Sequence, residues 1–372
     1  MARHRRRRRK RWVEGVGLGN LPPGASVQGS SVVENLVTPF FTVSEKEIIA
    51  VVGATGTQGG SVASTFLSHP SSLYTVRCLT RDPNSSVAQS LSSRGAEVIK
   101  ASLDDPSSLK AAFAGAHFIF VNTDFWATYI SLLPSKGAEA ARQSARETEI
   151  RHAKNAAEAA QANPALERYI YSALGPVKRA SNGKWPSSTH WETKAATVDY
   201  IEHEMPALAV KTSFIYVGIY ATNAFLYPKL NPSSDRYETL INCSPATPMP
   251  IIDTANSTGP FVHALVSEPP RTKLLAYDSC MTVAEAVEAW KKTTGKDAEI
   301  LELSVEQMRK RTGLSSEVLG GPGFIGQFGY MGGVEGWIGP DQLRNRPETK
   351  SYEQFLRTQS EHVLLNYSFP PL

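Results

Sequence analysis

The residues best placed to do chemistry begin at Gly53-Ala54-Thr55-Gly56-Thr57-Gln58-Gly59-Gly60, a GxxGxxG turn. Glycines at this spacing let the main chain pass close to an anion. Gly53 allows the tight turn, Gly56 lets the backbone approach, and Gly59 lets the next helix pack on the preceding strand. Amides exposed from Thr55 through Gln58, with the positive end of a helix dipole, then hold a pyrophosphate. A glycine pattern alone is weak evidence, and a structural turn without ligand is the alternative. Here an all-apolar run at 48–52 precedes it and a helical pattern follows, the context that a dinucleotide site requires.

The second candidate pair is Thr80-Arg81. A site for NAD places an acid about 20 residues after the glycines to bond the ribose 2′-hydroxyl. Thr80 stands where that acid is expected, and the Arg81 guanidinium can grip a 2′-phosphate at two points and stack on adenine. The charge logic predicts NADP(H). Asp82 competes, because a register shift of one residue would set a carboxylate at the ribose.

These residues need a scaffold, and the pattern from residue 47 onward supplies one. Strand patterns at 48–52, 74–79, 97–101, 117–121 and 168–171 alternate with helical ones at 57–68, 87–93, 106–114 and, after an inserted stretch, 149–162. This βαβα rhythm predicts an α/β fold, a doubly wound parallel Rossmann sheet with ligand at the carboxyl ends of its strands. Beyond 210 the rhythm loosens. Helical patterns recur at 282–293 and 304–312, and 320–333 reads as a glycine- and aromatic-rich loop. The expected organisation is a tail at 1–44, a dinucleotide-binding domain at 45–215, and further strands with a smaller C-terminal α/β lobe at 216–372 that binds substrate or partner.

Charge and cysteine usage narrow the classes. Of 39 Lys and Arg, eight sit in residues 1–11; the remaining 31 face 35 Asp and Glu, so the body is mildly acidic. Nucleic-acid affinity therefore belongs to the Arg run or nowhere. That run reads as a nuclear signal or nucleic-acid arm, against a solvated tail or a start codon placed too far upstream. The stretch to residue 44 lacks a periodic apolar face and is expected to be disordered. No apolar run is long enough to span a membrane, and no secretory signal follows the charges. Cys78, Cys243 and Cys280 are widely spaced, and His152, His203 and His263 lack partners at ligand spacing, so neither disulfides nor a metal site is expected. The expected location is cytoplasmic, with nuclear entry if the Arg run is a signal.

With these residues in place, the chain from about residue 48 resembles the NmrA-like family of atypical short-chain dehydrogenases. The resemblance rests on GATGTQGGSV, CLTRDP, LDDPSSLKAAFAGAHFIFVNTDFW, KNAAEAAQANPALERYIYSAL, HWETKAATVDYIEH and PIIDTANSTGPFVHAL. It implies an NADP(H) site formed by Gly53, Gly56, Gly59, Thr80, Arg81 and the segment Thr123-Asp124-Phe125-Trp126. Where the family usually has Gly-Asp-Leu, this chain has Ala101-Ser102-Leu103; Ser102 is a shorter, uncharged acceptor, so some adenine contact is either lost or passed to the Leu103 backbone.

The resemblance also frames the catalytic question. Short-chain dehydrogenases use Tyr-x-x-x-Lys, with the tyrosine as proton carrier and the lysine on the ribose. This chain reads His190-Trp191-Glu192-Thr193-Lys194. Lys194 can still hold the nicotinamide ribose. His190 can donate a proton, since an imidazole titrates close to neutral pH; alternatively it only caps or packs. Ser172 takes the usual place of the substrate-orienting hydroxyl, and Tyr216, Tyr220 and Asn223 are pocket candidates. Two functions follow: an NADP-dependent reductase of a small carbonyl or alkene-type metabolite, or a redox sensor that acts through a regulatory protein.

Overall fold

The computed structural model describes residues 46–69 and 73–366; the tail expected at 1–44 lies outside the described residues. Strand and helix alternate through the first half. In order they are β1 (Glu47–Val52), α1 (Thr57–Leu67), β2 (Tyr74–Thr80), α2 (Ser86–Ser93), β3 (Glu97–Lys100), α3 (Pro106–Phe113), β4 (Phe118–Val121), α4 (Phe125–Gln161) and β5 (Arg168–Ala173). Then come α5 (Val177–Ala180), α6 (Thr189–Glu204), α7 (Pro206–Ala209), β6 (Thr212–Val217), β7 (Ile219–Tyr220), β8 (Lys229–Asn231), β9 (Arg236–Ile241), β10 (Pro248–Ile252) and α8 (Thr254–Ser267). The chain continues through β11 (Lys273–Ala276), β12 (Ser279–Thr282), α9 (Val283–Thr294), β13 (Ala298–Glu302), α10 (Val305–Thr312), α11 (Ser316–Phe328), β14 (Trp337–Ile338), α12 (Tyr352–Arg357) and α13 (Glu361–Asn366).

Eight strands form one sheet in the order β3-β2-β1-β4-β5-β6-β11-β14. Every pair in it is parallel. Because side chains alternate across a strand, β1 feeds two cores. Ile49 and Val51 pack with Val62 and Phe66 of α1 and Phe261 and Leu265 of α8. Ala50 and Val52 pack with Phe113 of α3, the alanines of α4, and Val198 and Ile201 of α6. Strand order reverses between β1 and β4, so their carboxyl ends make the crevice where such sheets bind ligands. The second half contributes β11 and β14 to this sheet and builds a lobe from two three-stranded sheets, β12-β10-β7 and β13-β9-β8.

Two segments differ from the sequence expectation. The stretch before 149 is helical: α4 starts at Phe125 and runs past Pro134 through a kink at Gly137 (φ 74°, ψ 166°). Its two halves pack Phe125 and Tyr129 against Ala141 and Ala145, burial enough to override the breakers. The supposed loop over 320–333 is helical as far as Phe328. There the glycines serve close packing. A Cβ on Gly323 would stand 2.1 Å from the Trp185 ring, and one on Gly320 2.5 Å from Ser188 Oγ.

Candidate active site

A cavity of about 720 Å³ opens where the β1–β4–β5 carboxyl ends meet the lobe. Gly56, Thr57 and Gln58 border it from the glycine turn, Thr123, Phe125 and Trp126 from the end of β4, and Ser172 from β5. His190 and Lys194 enter from α6, while α11 closes the far wall with Val318, Leu319 and Ile325. Most of the lining is aliphatic or aromatic. Tyr220 and Asn223 also line it, whereas Tyr216 is a core residue.

The glycine turn has the expected local form. Gly53 has φ +73°, and a Cβ on Gly59 would sit 2.2 Å from the Gly53 carbonyl oxygen, so only glycine fits there. Gly56 is the N-cap of α1 and leaves the helix without a side-chain cap. Thr55 is exposed, and Gln58 is buried, its Nε2 donating to the Tyr220 hydroxyl at 2.8 Å across the cleft. At the end of β2, Thr80 is buried and Arg81 exposed. Asp82 is turned into its own loop, accepting the Asn84 N–H at 2.9 Å and donating its own N–H to Thr80 Oγ1 at 3.2 Å. Ser102 Oγ accepts the Asp104 N–H, and the Leu103 carbonyl accepts from Asn155 Nδ2. Thus Arg81, Ser102 and Leu103 lie along the carboxyl edge of β2 and β3 and do not line the main cavity.

Lys194 sits in a nest of oxygens. Its ammonium donates to Asn122 Oδ1 (3.3 Å), Thr123 O (3.0 Å), Thr123 Oγ1 (3.2 Å) and Ser172 O (3.4 Å). The fifth neighbour, Glu149 Oε1 at 3.3 Å, is a carboxylate with 0% exposure. Glu149 also accepts from the hydroxyls of Thr123 (2.8 Å) and Thr193. Burial alone would lower the Lys194 pKa, but Glu149, with the Tyr171 and Tyr220 phenols, holds it above the ordinary lysine value. Lys194 is therefore a fixed positive charge at neutral pH, unsuited to act as a base. Ser172 meets it through its carbonyl and is among the residues that line the cavity.

His190 has a carboxylate of its own. Its Nδ1 lies 2.6 Å from Glu317 Oε1, and its main-chain N–H donates to the same oxygen at 2.9 Å. Trp126 packs on the ring, with centroids 4.9 Å apart. Burial would push the Glu317 carboxyl up, yet the His190 ring and the His190 and Thr189 amides hold it below the usual glutamate value. Neither Glu149 nor Glu317 was singled out by sequence. Glu149 sits in an alanine-rich helical pattern, and Glu317 is separated from His190 by 127 residues. Elsewhere His152 pairs with Asp104 at 2.9 Å, and no three His, Cys, Asp or Glu side chains gather as a metal site among the described residues. No helix among them is long and apolar enough to cross a membrane.

Fold and site together define a Rossmann-type protein in which the crevice at the carboxyl ends of the strands is roofed by a lobe to make a largely apolar cavity. The chain matches the NmrA-like family over residues 45–356 and belongs to it. It is 28% identical over 272 residues to the NmrA-like family domain-containing oxidoreductase himF of Aspergillus japonicus, covering 69% of this chain and 76% of that one. With FrzB of Cladobotryum sp., named likewise, identity reaches 53%, but over 75 residues, 20% of this chain and only 22% of FrzB. The crystal structure of NmrA, a negative transcriptional regulator, in complex with NADP superposes with TM-score 0.61 at 18% identity, over 85% of this chain and 95% of NmrA. Leucoanthocyanidin reductase from Vitis vinifera, solved with NADPH, gives 0.60 at 13% identity over 83% and 98%. At such identities the likeness is one of fold.

Proposed function

We propose that the chain is an NADP(H)-dependent oxidoreductase that reduces a small, neutral carbonyl or alkene metabolite, of the kind made in specialised metabolism. One observation carries this reading: His190, Lys194 and the glycine turn share a cavity whose other walls are largely apolar. The fit to a nicotinamide dinucleotide rests on the chain's own residues. Gly59 is barred from bearing a side chain, Gln58 Oε1 is buried with no hydrogen-bond partner, and Arg81 is exposed at the end of β2. In this reading the turn holds the pyrophosphate, Arg81 the 2′-phosphate, and Lys194 with Thr123 the nicotinamide ribose. When bound, such a cofactor supplies a hydride.

The chain supplies the rest. His190 gives a proton to the reacting oxygen, and Phe125 and Trp126 help keep water out. Lys194 is the cavity's single Lys or Arg and is already paired with Glu149, so a phosphate or carboxylate on the substrate would find only the His190 ring to pair with. The domain division that goes with this reading assigns 45–215 to the cofactor and 216–372 to the substrate.

A second reading, a non-catalytic redox sensor working through a protein partner, is favoured by one feature. Five protein oxygens already surround the Lys194 ammonium, which has three protons to give. NADPH consumption against a panel of quinones, enones and ketones separates the two. A substrate consumed faster than in buffer supports the reductase. A silent panel removes it, and the search turns to a protein whose binding follows the NADPH to NADP⁺ ratio.

A further inference from the structure

We propose that Glu317 is the positioning residue for proton transfer: it holds His190 with Nδ1 as the bound donor and leaves Nε2 as the nitrogen that gives up a proton in the cavity. Its mechanistic consequence rests on the reductase reading; the geometry does not.

The argument starts at the beginning of α6. Its N-cap residue, Ser188, makes no side-chain cap bond, and Ser188 Oγ is buried without a partner. The orphan amides at that end need an acceptor from elsewhere. Glu317 provides it from the first turn of α11, receiving the His190 N–H and the Thr189 amide. One carboxylate thus sits at two helix N-termini, where the aligned peptide dipoles favour a negative charge despite 1% exposure.

That charge fixes the imidazole. An ionised carboxylate only accepts, so the Nδ1 contact at 2.6 Å requires a hydrogen on Nδ1 whether the ring is neutral or protonated. Nε2 has no hydrogen-bond partner in the protein among the described residues, and the ring borders the cavity. In the transfer, the Nε2–H bond breaks and an O–H bond forms on the substrate oxygen, whose carbonyl carbon has received hydride from the nicotinamide cofactor. The ring ends neutral, still bonded to Glu317 through Nδ1–H, and solvent reprotonates Nε2 for the next turnover. A carboxylate behind an imidazole has the same tautomer-fixing role in hydrolytic triads.

The placement of Glu317 adds a second element. It belongs to the lobe, and the neighbouring glycines of α11 seat that helix against Trp185 and Ser188, just before His190. Seating α11 therefore also assembles the proton donor.

The test is nitrogen NMR of the full chain labelled with [¹⁵N]histidine, with His190→Ala identifying the resonances. Above the pH at which the ring titrates, the parent protein is expected to show the Nδ1–H tautomer. Glu317→Ala should revert it to the Nε2–H form that unconstrained imidazoles favour. Glu317→Gln keeps an acceptor for both N–H groups and should retain Nδ1–H. On any substrate that the panel accepts, Glu317→Ala should lose kcat by about 10-fold or more and Glu317→Gln should keep most of it, with NADPH affinity within twofold of the parent in both. An Nε2–H ring in the parent overturns the proposal, as does a Glu317→Ala protein with parental kcat or a Glu317→Gln protein that keeps kcat with an Nε2–H ring. If Glu317→Ala does not fold, the parent tautomer and the Gln variant still decide. A parent that turns over nothing removes the reductase reading alone, and its tautomer still decides the role of Glu317.

Discussion

His190 and Lys194 lie one turn apart on α6, and each meets a carboxylate from a distant part of the chain, yet the two pairs are built differently. Lys194–Glu149 is sealed: the carboxylate is wholly buried, two threonine hydroxyls feed it, and every proton of the ammonium has an oxygen to meet. His190–Glu317 is half open, with one ring nitrogen engaged and the other unclaimed. A saturated pair can hold charge in place but cannot exchange a proton cheaply; a half-engaged pair can. The same helix thus separates a residue that holds from one suited to transfer.

The comparison breaks most visibly at Lys194. Lys194→Met leaves the Glu149 charge buried without its counter-ion and should cost about 3–5 kcal/mol of stability, read from urea unfolding. Adding Glu149→Gln should recover much of the loss. A Lys194→Met protein as stable as the parent would mean that the pair is not sealed. His190→Ala should spare NADPH binding and cut turnover by about 10²–10⁴-fold, measured by NADPH consumption on an accepted substrate. Unchanged turnover would assign His190 a packing role. Arg81 sharpens the contrast from outside the cavity. Arg81→Ala should weaken NADPH relative to NADH by about 1.5–3 kcal/mol in calorimetric titrations, and equal losses would free Arg81 from the 2′-phosphate.

The smallest effect is in the acid range. Because the folded pKa of Glu317 is depressed, its contribution to stability is fully present above the unfolded value of about 4.3. It is lost as pH falls through the lower folded value. The parent should therefore lose stability faster than Glu317→Gln between about pH 5 and 3, followed by urea unfolding at stepped pH. Parallel curves would show that the carboxylate is not held ionised by its surroundings.

The form of the glycine turn was legible in sequence, because it is written locally: Gly53 to Gly59 sit between a short apolar strand and a helix, and each conformation follows from neighbours a few residues away. The first half of α4 was not, since Pro134 and Gly137 are breakers whose cost is offset only by the packing of Phe125 and Tyr129 on a later turn. For α11 the glycines that suggest a loop are the residues that let it lie against Trp185. The two carboxylates fail for a related reason. Glu149 reaches Thr193 across 44 residues and Glu317 reaches His190 across 127, and no local pattern marks a partner chosen by tertiary approach.

Helix α11 has two kinds of position, and they differ in how freely they can diversify. Val318, Leu319 and Ile325 line the cavity, where a change of size alters which molecule fits. Gly323 faces the Trp185 ring so closely that a methyl group there would force the helix or the ring to shift, and one on Gly320 would turn the Ser188 hydroxyl away. On the proposed reductase reading, descendants of this chain can trade one substrate for another by altering the first set of residues while the second keeps His190 in register. Ligand preference is then the evolvable variable and the helix seam the inherited constant.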